Sequence, residues 1–313
     1  MPELPDLEAY VAVLRRTIVG HALEEVHLLH PFLLRSVETP PEAAEGRRVA
    51  SIHRLGKRIV IEFEDGPIFA LHLMIAGRLR WKESSGPRGG PGRRPPSKGG
   101  VLARLVFEHG ELALHESGSR RRASLHVLAE RDALAALDPG GLELLDEGTD
   151  LAGFARVLRS ESHTVKRALT DPRLFAGIGN AYSDEILFAA KLSPFAMTGS
   201  MDDEELARLF AAARATLTEW RDRLVAEAQE RFPSKVTAFR PEMRVHGRYN
   251  EPCTVCGTPV QRIRYAENEC DYCPTCQAGG KVYADRALSR LLKSDWPRSV
   301  EELERLNGPP TSR

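Results

Sequence analysis

The sequence predicts an α+β protein: a mainly antiparallel β domain behind an N-terminal helix, then a helical domain that ends in a zinc ribbon. Three observations carry this expectation. Residues 22 to 128 read as short apolar–polar alternations separated by turn signals. From about 151 to 230 the spacing becomes helical, with many Ala, Leu, Glu and Arg residues. All five cysteines fall between Cys253 and Cys276, four of them as two Cys-x2-Cys pairs.

Taken in order, residues 5–18 are expected to form a helix. Leu7, Val11, Leu14 and Ile18 share one face, Pro5 suits a first helical position, and Gly20 closes the end. Strands follow at 58–63, 68–73, 102–107 and 112–114, with hairpin turns at Glu64–Gly66 and Glu108–Gly110. A Gly/Pro/Ser-rich stretch from Ser84 to Gly100 carries Arg88, Arg93, Arg94 and Lys98, and reads as a basic loop. Asp138-Pro-Gly-Gly141 opens a linker. Helices are expected at about 151–169, 181–190 and 202–230. The turn Gly177-Ile-Gly-Asn180 enters the second of these. Such a turn points backbone N–H groups and the positive end of the helix dipole outward, a natural seat for phosphate.

In the ribbon, sixteen residues separate the pair Cys253/Cys256 from the pair Cys273/Cys276. Four thiolates in two tight turns suit one tetrahedral Zn2+, and a closed four-sulfur shell is structural rather than catalytic. Cys270-x2-Cys273 is also a legal pair. The preferred ligands are Cys253, Cys256, Cys273 and Cys276, with Cys270 a spare thiol. Between the pairs, 259–265 alternates like a strand and 266–269 turns it back. The expected domains are 1–135, a linker at 136–150, 151–248, the ribbon at 249–277, and a C-terminal extension at 278–313.

Composition narrows the function classes. The chain has 313 residues, 42% of them hydrophobic and 28% charged, which suits a soluble globular protein of two domains. No apolar run approaches the roughly 20 residues a membrane span needs. Acids in the first ten residues stand where a secretory signal is basic and then apolar, so a cytoplasmic location is expected, nucleoid-associated in a bacterium. The clustered cysteines fit a reducing compartment. Lys+Arg and Asp+Glu each number 44, and this zero balance counts against a simple polyanion binder. The balance is uneven, however. Residues 233–265 hold six Lys/Arg against two acids, while acids gather at Asp202–Glu205 and Glu301–Glu302. A basic cleft on an otherwise acidic surface fits those figures.

The first eight residues, MPELPDLE, are the most informative. Removal of Met1 leaves Pro2 with a free secondary amine. An α-amino group has a pKa of roughly 8, so far more of it is neutral at physiological pH than of a lysine amine. It can attack an aldehyde-like carbon as Schiff-base lysines do. Glu3 stands beside it as a candidate proton donor; read in isolation, Pro2 is more simply a helix-entry residue.

These residues, the helix, the β domain, Gly177-Ile-Gly-Asn-Ala-Tyr182 and the terminal ribbon occur in one order. The arrangement resembles the Fpg/Nei family of DNA glycosylase/AP lyases over roughly residues 1–277. The resemblance implies an N-terminal β-sandwich, a C-terminal helix–two-turns–helix domain with a zinc finger, and damaged double-stranded DNA as partner, bound by a monomer. It implies Pro2 as the nucleophile at C1′ and Glu3 as the acid/base. Lys57 and Asn180 become phosphate ligands, and His72 lies near the DNA backbone. No redox or nucleotide cofactor is implied. A base inside a duplex is inaccessible, so such an enzyme must extrude it at a cost of a few kcal/mol.

Four positions depart from the family pattern. Asp6 stands where Glu is common. Ile75 lies near the place of the Met that fills the gap left by the flipped base. Ser119–Ser124 replaces Arg-Arg-Phe-Gly and so lacks its aromatic wedge, which leaves Ile75 to fill the gap and Arg121 or Arg122 to hold the opposite strand. Asn268 occupies the place of a finger Arg that assists δ-elimination, so weak or absent δ-elimination is expected unless Arg262 or Arg264 substitutes. Two other readings stay open: a lesion-DNA binder with weakened catalysis on the same scaffold, and a zinc-ribbon interaction protein. The preferred lesion is not set by the sequence.

Overall fold

The computed structural model describes residues 1–84, 100–117, 121–233, 240–265, 268–284 and 296–307. Nearly all of the expected basic loop at 84–100 lies outside them. The chain forms two compact units: residues 1–141 with 218–237, and residues 142–217 with 238–313.

The first unit begins with α1 (Leu4–Ile18), one residue longer at its start than the pattern suggested. Its apolar stripe of Leu4, Leu7, Tyr10, Val11, Leu14 and Ile18 is buried. Each such side chain contributes about 1.5–3 kcal/mol. Gly20 then takes φ +81°, a backbone state open to glycine at no steric cost, and turns the chain into the sheets. The strands are β1 (Leu23–Leu28), β2 (Val49–Leu55), β3 (Arg58–Phe63), β4 (Ile68–His72), β5 (Gly77–Glu83), β6 (Val101–Phe107), β7 (Gly110–Glu116) and β8 (Ser124–Leu128). They form two antiparallel sheets, ordered β1-β6-β7-β5 and β2-β3-β4-β8.

Period-two alternation decides which residues face inward. Ile61, Phe69, Leu71 and Leu125 of one sheet meet Leu79, Ala103, Leu105, Leu112 and Leu114 of the other around a small apolar cavity. This is a β-sandwich, as the resemblance implied. The outer face of the second sheet is capped by a 3-10 segment, Arg131–Leu137, whose Leu134 and Leu137 pack on Val60, Ile68, Ala70 and Leu55.

The second unit is helical: α2 (Leu151–Leu158), α3 (Val165–Thr170), α4 (Asn180–Ala189) and the start of α5 (Asp203–Glu230). The single helix expected over 151–169 is a correction: it is broken at 159–164. Thr198 pulls this segment out of the helix. Its N–H donates to His163 O at 2.9 Å and its hydroxyl to Glu161 O at 2.8 Å. Thr164 then restarts the helix as an N-cap, its side chain accepting the Arg167 N–H. Phe154 stacks with Phe175 and Phe210, both at 5.2 Å, to form the aromatic centre of this unit.

α5 belongs to both units, its residues from Thr218 onward counting with the first. There Arg16 donates to Ala228 O at 3.0 Å. The ribbon hairpin is β9 (Gln261–Tyr265) paired with β10 (Asn268–Tyr272), followed by α6 (Pro274–Ala278). Of the extension, α7 (Val300–Asn307) is described. It is tied to the end of the ribbon by Val300 N–H to Gly280 O at 3.1 Å and Val282 N–H to Arg298 O at 3.0 Å.

Candidate active site and nucleic-acid interface

In the first unit the residues of interest gather where α1 begins. Pro2 and Glu3 are buried directly before its first turn. Glu3 is the N-cap and forms a capping box with Asp6, whose carboxylate accepts the Glu3 N–H at 3.0 Å. Asp6 therefore fills the role that a longer Glu would have at this position. Burial pushes the pKa of the Met1 amine, one residue before Pro2, down; Glu3 opposes this, and Arg78 adds to it. Lys57, in the β2–β3 turn, is likewise pushed down by burial and drawn back by Glu3. The Met1 amine, Glu3 and Lys57 thus act on one another electrostatically.

His72 ends β4. Its Nδ1 accepts the Met74 N–H at 3.0 Å, which leaves Nε2 as the N–H donor of a neutral ring. Burial, then the charges of Arg58, Lys57 and His126, lower its pKa to about 4. The turn that follows is tight. Met74 has φ +52°, and a Cβ on Gly77 would lie 2.2 Å from Leu73 O. Arg78 braces it through Ile75 O at 3.0 Å and Gly77 O at 2.7 Å. The result holds Ile75 outward, 55% exposed despite its apolar side chain. Arg121 and Arg122 are exposed. Their loop is anchored by Glu116, 2% exposed at the end of β7, whose carboxylate accepts the N–H groups of Arg122 at 2.9 Å and Ala123 at 3.0 Å.

In the second unit, Gly177 takes φ +77° and Gly179 caps α4, which places Asn180 in the first turn. Lys166 of α3 donates to Asn180 O at 3.2 Å and Ser183 Oγ at 3.1 Å, and pairs with the buried Asp184. Asp184 also accepts from His246 Nδ1 at 2.8 Å and from the Asp271 N–H at 3.1 Å. Its neighbour Glu185 accepts the N–H groups of Arg244, Val245 and His246. Despite its burial, Asp184 is held below the usual carboxylate range by Lys166 and His246. One buried charge network therefore joins the α4 turn to the ribbon.

The sulfurs of Cys253, Cys256, Cys273 and Cys276 lie within 4.8 Å of one another. Two of the separations are 4.0 Å (Cys253–Cys276) and 3.4 Å (Cys256–Cys273). A tetrahedral zinc with bonds of ~2.3 Å spaces its sulfurs by about 3.8 Å, so the donor set fits a metal ion of that kind. Cys270 is 1% exposed and packs with Ile263 and Tyr272 instead. Burial pushes its thiol pKa well up. Arg262 is committed inside the hairpin. It pairs with Asp271 at 2.9 Å and Glu269 at 3.3 Å, and lies 5.3 Å over the Tyr249 ring. Arg264 is exposed.

Sequence reading had not singled out Glu116, Arg78, Lys166, Asp184 or His246. The one cue was a polar run, Ser183-Asp-Glu185, inside an otherwise apolar helix, where buried acids demand partners.

Comparisons with known proteins agree with this architecture. A family model described as the formamidopyrimidine-DNA glycosylase N-terminal domain matches residues 1–125, and one described as the H2TH domain of the same glycosylase matches residues 141–221. A formamidopyrimidine-DNA glycosylase of Thermus thermophilus is 33% identical over 286 residues, covering 90% of this chain and all of that one. The crystal structure of the MutM (Fpg) protein from Thermus thermophilus superposes with a TM-score of 0.70 at 32% identity, over 88% of this chain and 98% of the other. A glycosylase-like protein of Mycobacterium tuberculosis is 42% identical over 158 residues, 50% of this chain and 95% of that one. A β-sandwich followed by a helix–two-turns–helix unit with a four-cysteine cluster defines a DNA-repair glycosylase. The chain belongs to the formamidopyrimidine-DNA glycosylase family. Among the described residues, no helix is long and apolar enough to cross a membrane.

Proposed function

We propose that the chain is a bifunctional glycosylase/AP lyase acting on damaged double-stranded DNA through the amine of Pro2. The observation that carries this reading is the burial of Pro2 and Glu3 at the start of α1, with the half-buried Lys57 of the β2–β3 turn interacting electrostatically with Glu3. Desolvation disfavours a charged amine, so the amine freed on Pro2 by loss of Met1 is expected to be neutral and nucleophilic. It attacks C1′ and gives up its N–H proton, the bond to the base breaks, and the base leaves with the electron pair and a proton; the C1′–O4′ bond then breaks, the electron pair going to O4′, which takes a proton delivered through Glu3. The iminium that forms acidifies C2′–H. Loss of that proton breaks the C3′–O bond, and water then releases the sugar fragment from Pro2. Lys57, His72 and Asn180 hold backbone phosphates, which fixes position without reading sequence.

Ile75 fills the gap left by the extruded base, and Arg121 or Arg122 steadies the opposite strand. Apolar wedges stabilise an unstacked step in this way. Cys253, Cys256, Cys273 and Cys276 hold a structural Zn2+ that fixes the ribbon. With Arg262 tied to Asp271 and Glu269, Arg264 is the ribbon arginine that is left to reach DNA, and δ-elimination is weak. The protein works as a cytoplasmic monomer.

The test is borohydride trapping of Met1-processed protein, confirmed by intact mass, on duplexes carrying an abasic site or an oxidised base. A covalent adduct through Pro2 and strand cleavage ending at the β-product are expected. Lesion-selective binding with neither adduct nor base release would favour the catalytically weak binder instead.

A further inference from the structure

Around His72, the outer face of the β2-β3-β4-β8 sheet carries three donors, Arg58, Ser124 and His126, that the proposed chemistry does not use. Arg58, His72 and Ser124 are direct cross-strand partners in one row across β3, β4 and β8. His126 stands in the next row, opposite Ala70, on the same face. Direct partners lie about 5 Å apart at Cβ, and diagonal ones about 7–8 Å. The four side chains therefore rim one patch at the end of the sheet nearest Lys57.

Its chemistry is one-sided. Arg58 NH1 is satisfied by Leu137 O at 3.2 Å, but Arg58 Nε is buried with no partner among the described residues. The acid that acts on Arg58 is Asp138. His126 is disfavoured as a cation by burial and by the nearby charges of Arg58 and Arg35. Two neutral imidazoles, a hydroxyl and the Arg58 guanidinium share this face. A group with several acceptor oxygens and a negative charge would satisfy them together.

We propose that Arg58, Ser124 and His126 form a second phosphate seat, adjoining that of Lys57 and His72, which takes a further backbone phosphate of the bound DNA strand. Arg58 supplies the charge and His126 and Ser124 supply hydrogen bonds. The seat rests on the proposed glycosylase/lyase reading.

The test uses full-length, Met1-processed protein and a duplex containing a tetrahydrofuran abasic analogue, with binding measured across a salt series. Arg58→Gln is expected to weaken binding about tenfold, the value of a charge-assisted hydrogen bond. It should also flatten log K against log salt by about one ion's worth, and Arg58→Lys should restore the slope. His126→Leu should weaken binding with the slope kept, since the ring is neutral. A scan of single neutral methylphosphonates should find one linkage whose neutralisation costs the wild type affinity and costs Arg58→Gln nothing further. An unchanged slope in Arg58→Gln, or the same methylphosphonate profile for both proteins, would overturn the seat. If the wild type traps on abasic DNA and the variants match it in every respect, the seat alone fails. If the wild type neither binds nor traps, the reading beneath it fails as well.

Discussion

Individual side chains here hold their neighbours by burial and charge. Glu116 is buried and accepts backbone N–H groups from the arginine loop. Glu116→Ala removes the acceptor and strands those donors, at about 1–3 kcal/mol. Urea unfolding should show that loss, and DNA binding should fall further than the loss alone explains, because Arg121 and Arg122 are no longer held. Lys166 is more costly to remove. Lys166→Met leaves Asp184 as a buried carboxylate without its cation, a change of about 3–5 kcal/mol, and lowers the unfolding midpoint. His72 gives a pH signature. Burial and the cations Arg58, Lys57 and His126 hold its pKa near 4, below its ordinary value, so the folded state binds fewer protons than the unfolded chain between those values. Its contribution is complete above about pH 6.5 and is lost as pH falls towards 4, to a limit of about 3 kcal/mol. His72→Gln should flatten stability against pH in that window.

At the scale of elements, the spacing of apolar residues made α1, β3, β4, β6 and the ribbon strand legible. Turn chemistry made the hairpins at Asp65 and Gly110 legible. The break between α2 and α3 was not legible, because Thr198, some 35 residues away in sequence, competes for the backbone of 161–163. Local propensity has no access to such a partner. The ribbon gives a clean element-level prediction. Cys273→Ser should abolish stoichiometric zinc, measured by metal analysis of purified protein, and should loosen the β9–β10 hairpin. Cys270→Ser should leave the metal content unchanged, since Cys270 sits in the apolar packing with Ile263 and Tyr272.

For the whole molecule, hydrophobic periodicity and the cysteine pairs defined the class of fold, but the residues of the site were legible unequally. The cysteine pairs announced themselves through residue type and spacing, whereas Pro2 and Glu3, which alone read as a helix entry, gained their meaning from the motifs that follow them. Lys57, His72 and Asn180 needed a resemblance to be seen, because a lone lysine, histidine or asparagine in a turn has no distinguishing pattern. Glu116 and the Asp184 network were invisible because their meaning lies in which distant amides they receive. The formal net charge of zero also bears on function. Affinity for undamaged DNA is expected to be modest, with a shallow salt dependence in a titration against plain duplex. A steep slope would contradict it.

The sharing of α5 between the units has a consequence for how the protein is made. The first unit draws on residues 218–237, yet all of 142–217 comes before them on the chain. Translation at about 5–20 residues per second imposes a wait of roughly 5–20 s between the end of the sandwich sequence and the arrival of that segment. During that interval the nascent sandwich lacks Ala228 O for Arg16 and the Phe232 ring beside Tyr10, so α1 emerges with part of its lining absent. The end of the molecule that holds Pro2 is synthesised first and completed late.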